Sequence, residues 1–465
     1  MQDAAKIDTY HPEYDFMSSG WEKVRHCMEG QDAIHVNAKK YLERLSDEEE
    51  YDFTKRVSRT LFFNATARTI HGLVGMITAK PEIVQTSSDV DTLLSDVTMA
   101  GESFSNFIET VLTEVISVGR VGVLVDYPTT DSGHTLADAK MQGLRPLMKI
   151  CRAESIINWR YSNIRNKYVL TMVCIEEEKD LSTGFGHSTE KQWRALDLWT
   201  GVCRIRVFRK DKSDRDEQVG GDVFPKMKGK TLDFIPFYFF GGATIEKPPI
   251  MDLVHANLQH FKVSADYYSG LHLTGLPTAW ISGVDQEEKT YKIGGSLAWS
   301  FQDPDTKVGF LEYSGSGLGN HEKALSNIEL QMAVLGARML EPQKRGIESA
   351  EAAAIHRSGE NSILASIASR ASDGLSKCLK WFDQFAGGSG DGVSVGLNKD
   401  FSTAQMDPAM LSALTNSWMA GGISSRTLAY QQLIGELTPV GMTLDEVESG
   451  IKNPDIMGNF SDGTE

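Results

Sequence analysis

The chain carries the residue types of several chemistries without their spacings. His255, His260 and His272 share one helical stretch, but no two stand four residues apart, so they make no two-histidine metal face and are expected on the helix surface. Ser389 lies in Gly387-Gly388-Ser389-Gly390-Asp391, which is not a G-x-S-x-G elbow and follows a helix rather than a strand, so the segment reads as a hinge. Gly315-Ser316-Gly317-Leu318-Gly319 misses the G-x-G-x-x-G spacing and has no β-α-β setting, which leaves it as a linker. No G-x-x-x-x-G-K-S/T loop occurs, so Asp126 is expected to end a buried structural strand rather than hold an ATPase metal. The 63 Asp and Glu residues cannot be paired at a glycosidase separation by spacing alone. The chain therefore reads as a non-enzyme, with no catalytic residue, metal site or cofactor indicated.

Composition bounds the class in the same direction. With 465 residues, 41% hydrophobic and 24% charged, the chain is ordinary for a soluble globular protein and long enough for two or three cores. Cys27, Cys151, Cys174, Cys203 and Cys378 are scattered with no C-x-x-C pair, which fits a reducing compartment. Met1-Gln2-Asp3 does not open a basic-then-apolar leader, and the runs Phe234 to Gly242 and Val121 to Val125 are too short to span a bilayer. Neither secretion nor membrane insertion is expected. The net charge of −16 argues against a surface that grips nucleic acid, which needs clustered Lys and Arg. It is compatible with a wall past which DNA slides, because each tight phosphate contact would act as a brake.

The elements that would position any site come from periodicity. A helical region is expected from Trp21 to Lys80, with Tyr41-Leu42 beginning one segment and Tyr51 to Ala79 continuing as another until Lys80-Pro81. A helix from Phe104 to Gly119 feeds a buried strand, Val121 to Asp126. Short strands follow at Pro146 to Ile150, Ser155 to Trp159, Lys167 to Glu176, Gln192 to Trp199, Cys203 to Lys210 and Phe237 to Phe240, with Lys210 to Gly221 as a solvated loop. Met251, Val254, Leu258, Phe261, Ala265 and Tyr268 step by threes and fours, as do Leu325, Ile328, Met332, Leu335 and Met339. These two amphipathic helices bracket an insert, Thr274 to Gly319, of short strands and turns, and so form a stalk for a small module. Glu341-Pro342-Gln343-Lys344-Arg345-Gly346 breaks the second helix, and a long helix resumes through Ile363 to Phe385. Val393 to Leu397 reads as a returning strand. C-terminal helices follow at Met410 to Met419, Ser424 to Leu437 and Thr443 to Ile451, with Ser424 as an N-cap and Thr443 and Glu446 as a capping box. The fold class is α+β.

An ordered set of residues resembles the portal (head-tail connector) proteins of tailed bacteriophages, in a portal-type family formerly of unknown function. It comprises Trp21, Arg25, Gly30 and Tyr41-Leu42; Phe62-Phe63-Asn64, Arg68-Thr69-Ile70 and Gly72 to Met76 ahead of Lys80-Pro81; and Gly119 to Gly122 through Asp126-Tyr127. Ile235-Pro236-Phe237, Pro249-Ile250, Asp252-Leu253, Asn257-Leu258 and His260 continue it, and Leu335 to Leu340, Glu348 to Ala352 and Gly359-Glu360 end it. The likeness runs over most of the chain, from Trp21 to Ile451.

The resemblance implies a portal-like wing (residues 1–247), a stem helix (248–273), a small α/β clip (274–319), a second stem helix (320–340), a tunnel-loop region (341–358), the long wing helix and returning strand (359–400), and helical crown (401–465). It implies a homo-oligomer, a dodecameric ring at one capsid vertex of the virion, assembled in the host cytoplasm beside major capsid or scaffolding protein and later joined to the tail. Double-stranded DNA would pass along the axis during packaging and ejection, while the clip docks the terminase large subunit and then the head-tail adaptor. In that frame Arg338, Lys344, Arg345, His356 and Arg357 are candidates to face the DNA channel, and Asp285, Glu287, Glu288, Lys289 and Lys292 to form the docking tip. The other classes in view are a nucleotide-dependent enzyme with an unrecognised phosphate site, and a capsid or tail scaffold with no channel.

Overall fold

A computed structural model describes residues 6–128, 144–276, 278–283, 299, 301, 304–311, 314–337, 350–399, 401, 408–434 and 444–452. The chain divides into two units, Met1–Lys399 and Asp400–Glu465, and mixes helix with sheet.

The first unit begins with helices α1 (Pro12–Glu29), α2 (Gln31–Val36), α3 (Ala38–Tyr41), α4 (Glu50–Arg59) and α5 (Ala65–Thr78). The expected start at Trp21 is late by more than two turns: His11 caps α1 through its ring nitrogen, which accepts from the Glu13 N–H, and Pro12 opens the helix. Tyr41 ends a helix rather than beginning one, and the expected run from Tyr51 to Ala79 is two helices. The break falls at Thr60–Asn64, where the Asn64 side chain accepts from the Ala67 N–H and starts α5. The apolar spacing of the sequence runs through that break at Leu61, which joins the two helices by periodicity, although Leu61 itself is exposed.

Strand β1 (Ile83–Gln85), α6 (Ser88–Asp91) and α7 (Phe104–Val118) follow. The apolar stripe of α7 is buried at Phe107, Ile108, Val111, Leu112 and Ile116, and Gly119 ends the helix in the left-handed conformation, φ 77°. The next strand, β2 (Val121–Asp126), is buried through Val125 and is the middle strand of a sheet in which β3 (Leu147–Arg152) and β11 (Phe237–Phe240) flank it, both antiparallel. A continuous apolar run was the correct signal for a strand covered on both faces.

A meander of five antiparallel strands stands beside it: β4 (Ile156–Ile164), β5 (Lys167–Asp180), β6 (Thr189–Trp199), β7 (Val202–Lys210) and β8 (Asp216–Val223), with a small β9 (Lys226–Met227) and β10 (Lys230–Thr231) pair after it. Ile157, Cys174 and Trp193 form the buried centre of one face, against which Ile7 and Tyr14 of the N-terminal segment pack. The Lys210–Gly221 stretch expected as a loop supplies most of β8. All but the last residue of β8 is exposed, so this charged edge strand has no buried face to give it alternation.

Helix α8 (Met251–Gly275), the hairpin strands β12 (Thr278–Ser282) and β13 (Lys307–Leu311), helix α9 (Leu318–Ala337), the 36-residue helix α10 (Ala350–Phe385) and β14 (Ser394–Gly396) complete the unit. Strand β14 pairs antiparallel with β1, a strand with no signal in the sequence reading. The expected hinge at Gly387–Asp391 is braced instead. The buried Asp383 carboxylate accepts from the Gly390 N–H at 2.8 Å and from the Ser87 hydroxyl at 2.5 Å, while the Gly388 N–H donates to the Asp383 carbonyl.

The second unit is helical: α11 (Pro408–Met419), α12 (Ser425–Ile434) and α13 (Leu444–Lys452). The expected N-cap is present, since the Ser424 hydroxyl accepts from the Thr427 N–H at 3.1 Å. Thr443 of the expected capping box lies outside the described residues. Among the described residues no helix is long and apolar enough to cross a membrane.

Candidate functional site

The two amphipathic helices are present and run antiparallel as one hairpin. Gly270 of α8 lets Leu318 of α9 approach until a Cβ at Gly270 would stand 2.6 Å from its side chain. The Tyr267 hydroxyl then donates to Glu322 at 2.7 Å, and His260 Nε2 meets Glu329 Oε1 at 3.2 Å. From the second contact to the third, α8 steps back seven residues while α9 steps forward seven, about two turns in each helix. His260 is buried, contrary to the surface position expected of it. An Nε2–H donated to Glu329 leaves Nδ1 to accept from the Ser264 hydroxyl, 3.3 Å away. The polar contacts between the helices thus lie along a single seam.

One end of the hairpin is fastened to the body by three unlike contacts. Asn257, fully buried, accepts from the Thr66 N–H at 3.1 Å and the Thr66 hydroxyl at 2.9 Å, and donates to the Phe63 carbonyl at 2.6 Å. The Arg56 guanidinium, paired with Glu48 at 2.8 Å and with the Glu43 carbonyl at 2.8 Å, also reaches Asp266 at 3.8 Å. Gly336 packs so tightly on α5 that a Cβ there would stand 2.7 Å from Thr69 Oγ1. The sequence places Asn257 in the family resemblance but assigns it no structural role. The available signal was a polar residue inside the apolar stripe of Val254, Leu258 and Phe261, a position that stays buried only with its hydrogen bonds satisfied.

The other end carries the β12–β13 hairpin. Large apolar side chains remain exposed there, among them Leu276 (63%), Phe310 (59%) and Leu311 (69%). A two-stranded sheet is marginal by itself in water, so a surface of this kind is one that contact with another surface would stabilise. The expected tip residues Asp285, Glu287, Glu288, Lys289 and Lys292 lie outside the described residues.

The charge on the hairpin helices is sparse and acidic on balance. Lys262 and Lys323 stand against Asp252, Asp266, Glu322 and Glu329. No basic stripe of the kind that holds phosphate runs along them. Of the expected channel residues, Arg338, Lys344 and Arg345 lie outside the described residues, and His356 and Arg357 fall in the first turns of α10.

Reactive groups elsewhere are engaged or hidden. Burial pushes the thiols of Cys27, Cys151, Cys174 and Cys203 up to about 12, and that of Cys378 further, so none is poised as a thiolate. A cavity of about 440 Å³ is lined by Arg25, Glu109, Glu114 and Arg152. Its two arginines are already engaged, because Arg25 forks onto Glu114 at 2.9 and 2.5 Å and onto Glu154 at 2.7 and 3.0 Å, and Arg152 stands 3.6 Å from Glu114. Among the described residues no group of three or more His, Cys, Asp or Glu side chains could hold a metal ion.

A family model described as a domain of unknown function, DUF4055, matches residues 249–386, the segment from the start of α8 to the end of α10. No curated protein matches the chain. Among solved structures, the chain is similar to a component of the neck of an empty gene transfer agent (GTA) particle computed with C6 symmetry, at 14% identity and a TM-score of 0.37, over 82% of this chain and 91% of that one. It is similar to a component of the neck of a native GTA particle computed with C12 symmetry, at 13% identity and TM-score 0.36, over 84% and 94% of the two chains. A third likeness is to a chain of the virion of the native particle, at 13% identity and TM-score 0.36, over 87% and 98%. At these scores the likeness is loose.

Proposed function

We propose that the chain is the protomer of a phage-type head-tail connector, a portal ring at one capsid vertex through which double-stranded DNA enters and leaves. The observation that carries this reading is the α8–α9 hairpin, fastened to an α+β body at one end by Asn257, Arg56 and Gly336 and bearing an exposed apolar β-hairpin at the other. On its flanks Leu273, Leu330 and Leu335 are exposed, so the hairpin buries apolar surface when copies stand side by side, and a head-to-tail contact whose rotation closes makes a ring. The shortage of basic residues along α8 and α9 suits a passage that DNA traverses without adhering. In this reading the body is the wing, α8 and α9 are the stem, β12–β13 belongs to the clip and the C-terminal helices to the crown.

The ring is a dodecamer, and the clip takes the terminase large subunit during packaging and the adaptor afterwards. Residues 341–358 border the channel, with Lys344 and Arg345 toward DNA. Electron microscopy of the purified chain tests the proposal: rings with an open centre are expected, and a monomer, a solid plug, or a sheet or tube would overturn it. Replacing Lys344 and Arg345 with alanine is expected to alter packaging or DNA retention while rings still form; loss of ring assembly would contradict their placement at the channel.

A further inference from the structure

Helix α5 is held at one end by both helices of the hairpin and at the other by the strand that follows α10. At its first turn Asn257 of α8 takes the N–H and hydroxyl of Thr66, and one turn on Thr69 is in close contact with Gly336 of α9. Residues 66 and 69 share a face, so the two hairpin helices press on the same side of α5. At its last turn the Met76 carbonyl accepts from Asn398 Nδ2 at 3.1 Å, and β1, which follows α5, pairs with β14 from Ile83 opposite Gly396 to Gln85 opposite Ser394. Strand β14 is in turn pinned to α10: the Val395 N–H donates to Ser376 Oγ at 2.9 Å and the Leu397 N–H to Ser372 Oγ at 3.2 Å.

We infer that α5 is a strut that couples the hairpin to the β1–β14 seat of α10, so that loosening or displacing α8 and α9 changes the stability of that seat. Fourteen helical residues span about 21 Å, a distance over which a hydrogen-bonded rod carries a displacement without a continuous chain of side-chain contacts. Both attachments at the hairpin end are short-range and exacting, a buried amide with three hydrogen bonds and a helix crossing with no room for a Cβ. A shift of either hairpin helix must therefore move α5 or break its cap. The inference concerns one protomer and stands whether or not copies assemble into a ring.

Hydrogen exchange on the full-length chain tests it. Asn257→Ala is expected to speed amide exchange in residues 65–69 and, by roughly tenfold, in residues 83–85 and 394–397, as the loss of buried hydrogen bonds at one end lowers the opening free energy at the other. Thr66→Val, which removes only the hydroxyl contact and keeps the shape, should move the same segments by a smaller factor and serves if the alanine variant does not fold. Arg204→Ala, in the five-stranded sheet, is the reference for general destabilisation, compared at equal loss of thermal midpoint. An effect of Asn257→Ala confined to the first turn of α5 overturns the inference, as does an equal effect of Arg204→Ala on residues 83–85 and 394–397.

Discussion

Asn257 caps a helix that is distant in sequence: its amide oxygen takes both the backbone N–H and the hydroxyl of Thr66, at 3.1 and 2.9 Å, while its amide nitrogen donates to the Phe63 carbonyl at 2.6 Å. The first turn of any helix leaves N–H groups without partners, and at α5 the Asn64 side chain supplies one acceptor, to Ala67, and α8 the other. The two elements therefore cannot be separated without leaving buried donors unpaired.

Asn257→Ala is expected to lower unfolding stability by about 3 kcal/mol, because it strands buried donors at Thr66 and an acceptor at Phe63 rather than merely removing one contact. Asn257→Asp keeps an acceptor for Thr66 but sets a carboxylate beside the Phe63 carbonyl, and is expected to be no better. Urea unfolding with an unchanged slope measures both; a loss under about 0.5 kcal/mol for the alanine variant would mean that water replaces the amide.

Arg56, which reaches Asp266 of α8 as the second attachment, is held by Glu48, and the two side chains of that pair are only 4% and 7% exposed. The hydrogen bond from Arg56 holds the Glu48 carboxyl below its ordinary value. A carboxylate whose folded value is depressed stabilises the fold above its unfolded value and loses that contribution as pH falls through the folded one. The wild type should therefore exceed Glu48→Gln by about 3 kcal/mol at neutral pH, since the variant leaves a buried guanidinium short of its counter-charge. The gap should shrink as pH drops below about 4. A gap independent of pH between 7 and 3 would count against an ionised Glu48.

Arg120 is 1% exposed, and none of its three guanidinium nitrogens has a hydrogen-bond partner among the described residues, while the rings of Trp159 and Phe239 each lie 4.1 Å from its centre. Burial pulls it down to about 10. Cation–π attraction offsets part of the desolvation, on the order of 2 kcal/mol per ring, against several for burying the charge. Arg120→Met, which fills the same space without charge, is expected to leave the thermal midpoint unchanged or raise it, whereas Arg120→Ala should lower it by opening a void. A methionine variant several degrees less stable than wild type would show that the rings compensate the charge fully.

Which parts of this fold were legible follows from what each side chain touches. The helix over Phe104–Val118 and the strand over Val121–Asp126 were, because each buries an apolar set of the right period and Gly119 marks the boundary. Helix α8 was legible for the same reason, and α9 by its period, although of its expected stripe Met332 is buried while Leu335 is exposed. Strand β8 was not, since a charged edge strand has no inward face, and β1 was not, since three residues pairing with β14 hundreds of positions away leave no local trace. Asn257 and His260 looked like polar interruptions of a stripe, and their partners, Thr66 and Glu329, are set by tertiary packing. The glycines of Gly387–Asp391 suggested a hinge because the Asp383 carboxylate that holds the turn acts through backbone groups.

Gly241 and Gly119 separate two costs that glycine avoids. Both have positive φ, 97° and 77°, so any other residue at either would sit in strained backbone, at roughly 1 kcal/mol or a little more. They differ in what surrounds them. A Cβ at Gly119 would meet only ordinary contacts, the nearest at 3.5 Å from Pro248 and Pro249, whereas a Cβ at Gly241 would overlap the Gly119 carbonyl oxygen, which is backbone and cannot swing aside. That carbonyl lies where α7 turns into β2, and Gly241 directly follows β11, the strand paired to β2, so relief requires the central three-stranded sheet to part from the helix end. Gly119→Ala should therefore cost about 1 to 2 kcal/mol and Gly241→Ala more than about 4 kcal/mol, enough to reduce the yield of folded protein. Equal unfolding midpoints for the two variants would show that backbone conformation alone, and not the crossing of the two glycines, sets the requirement.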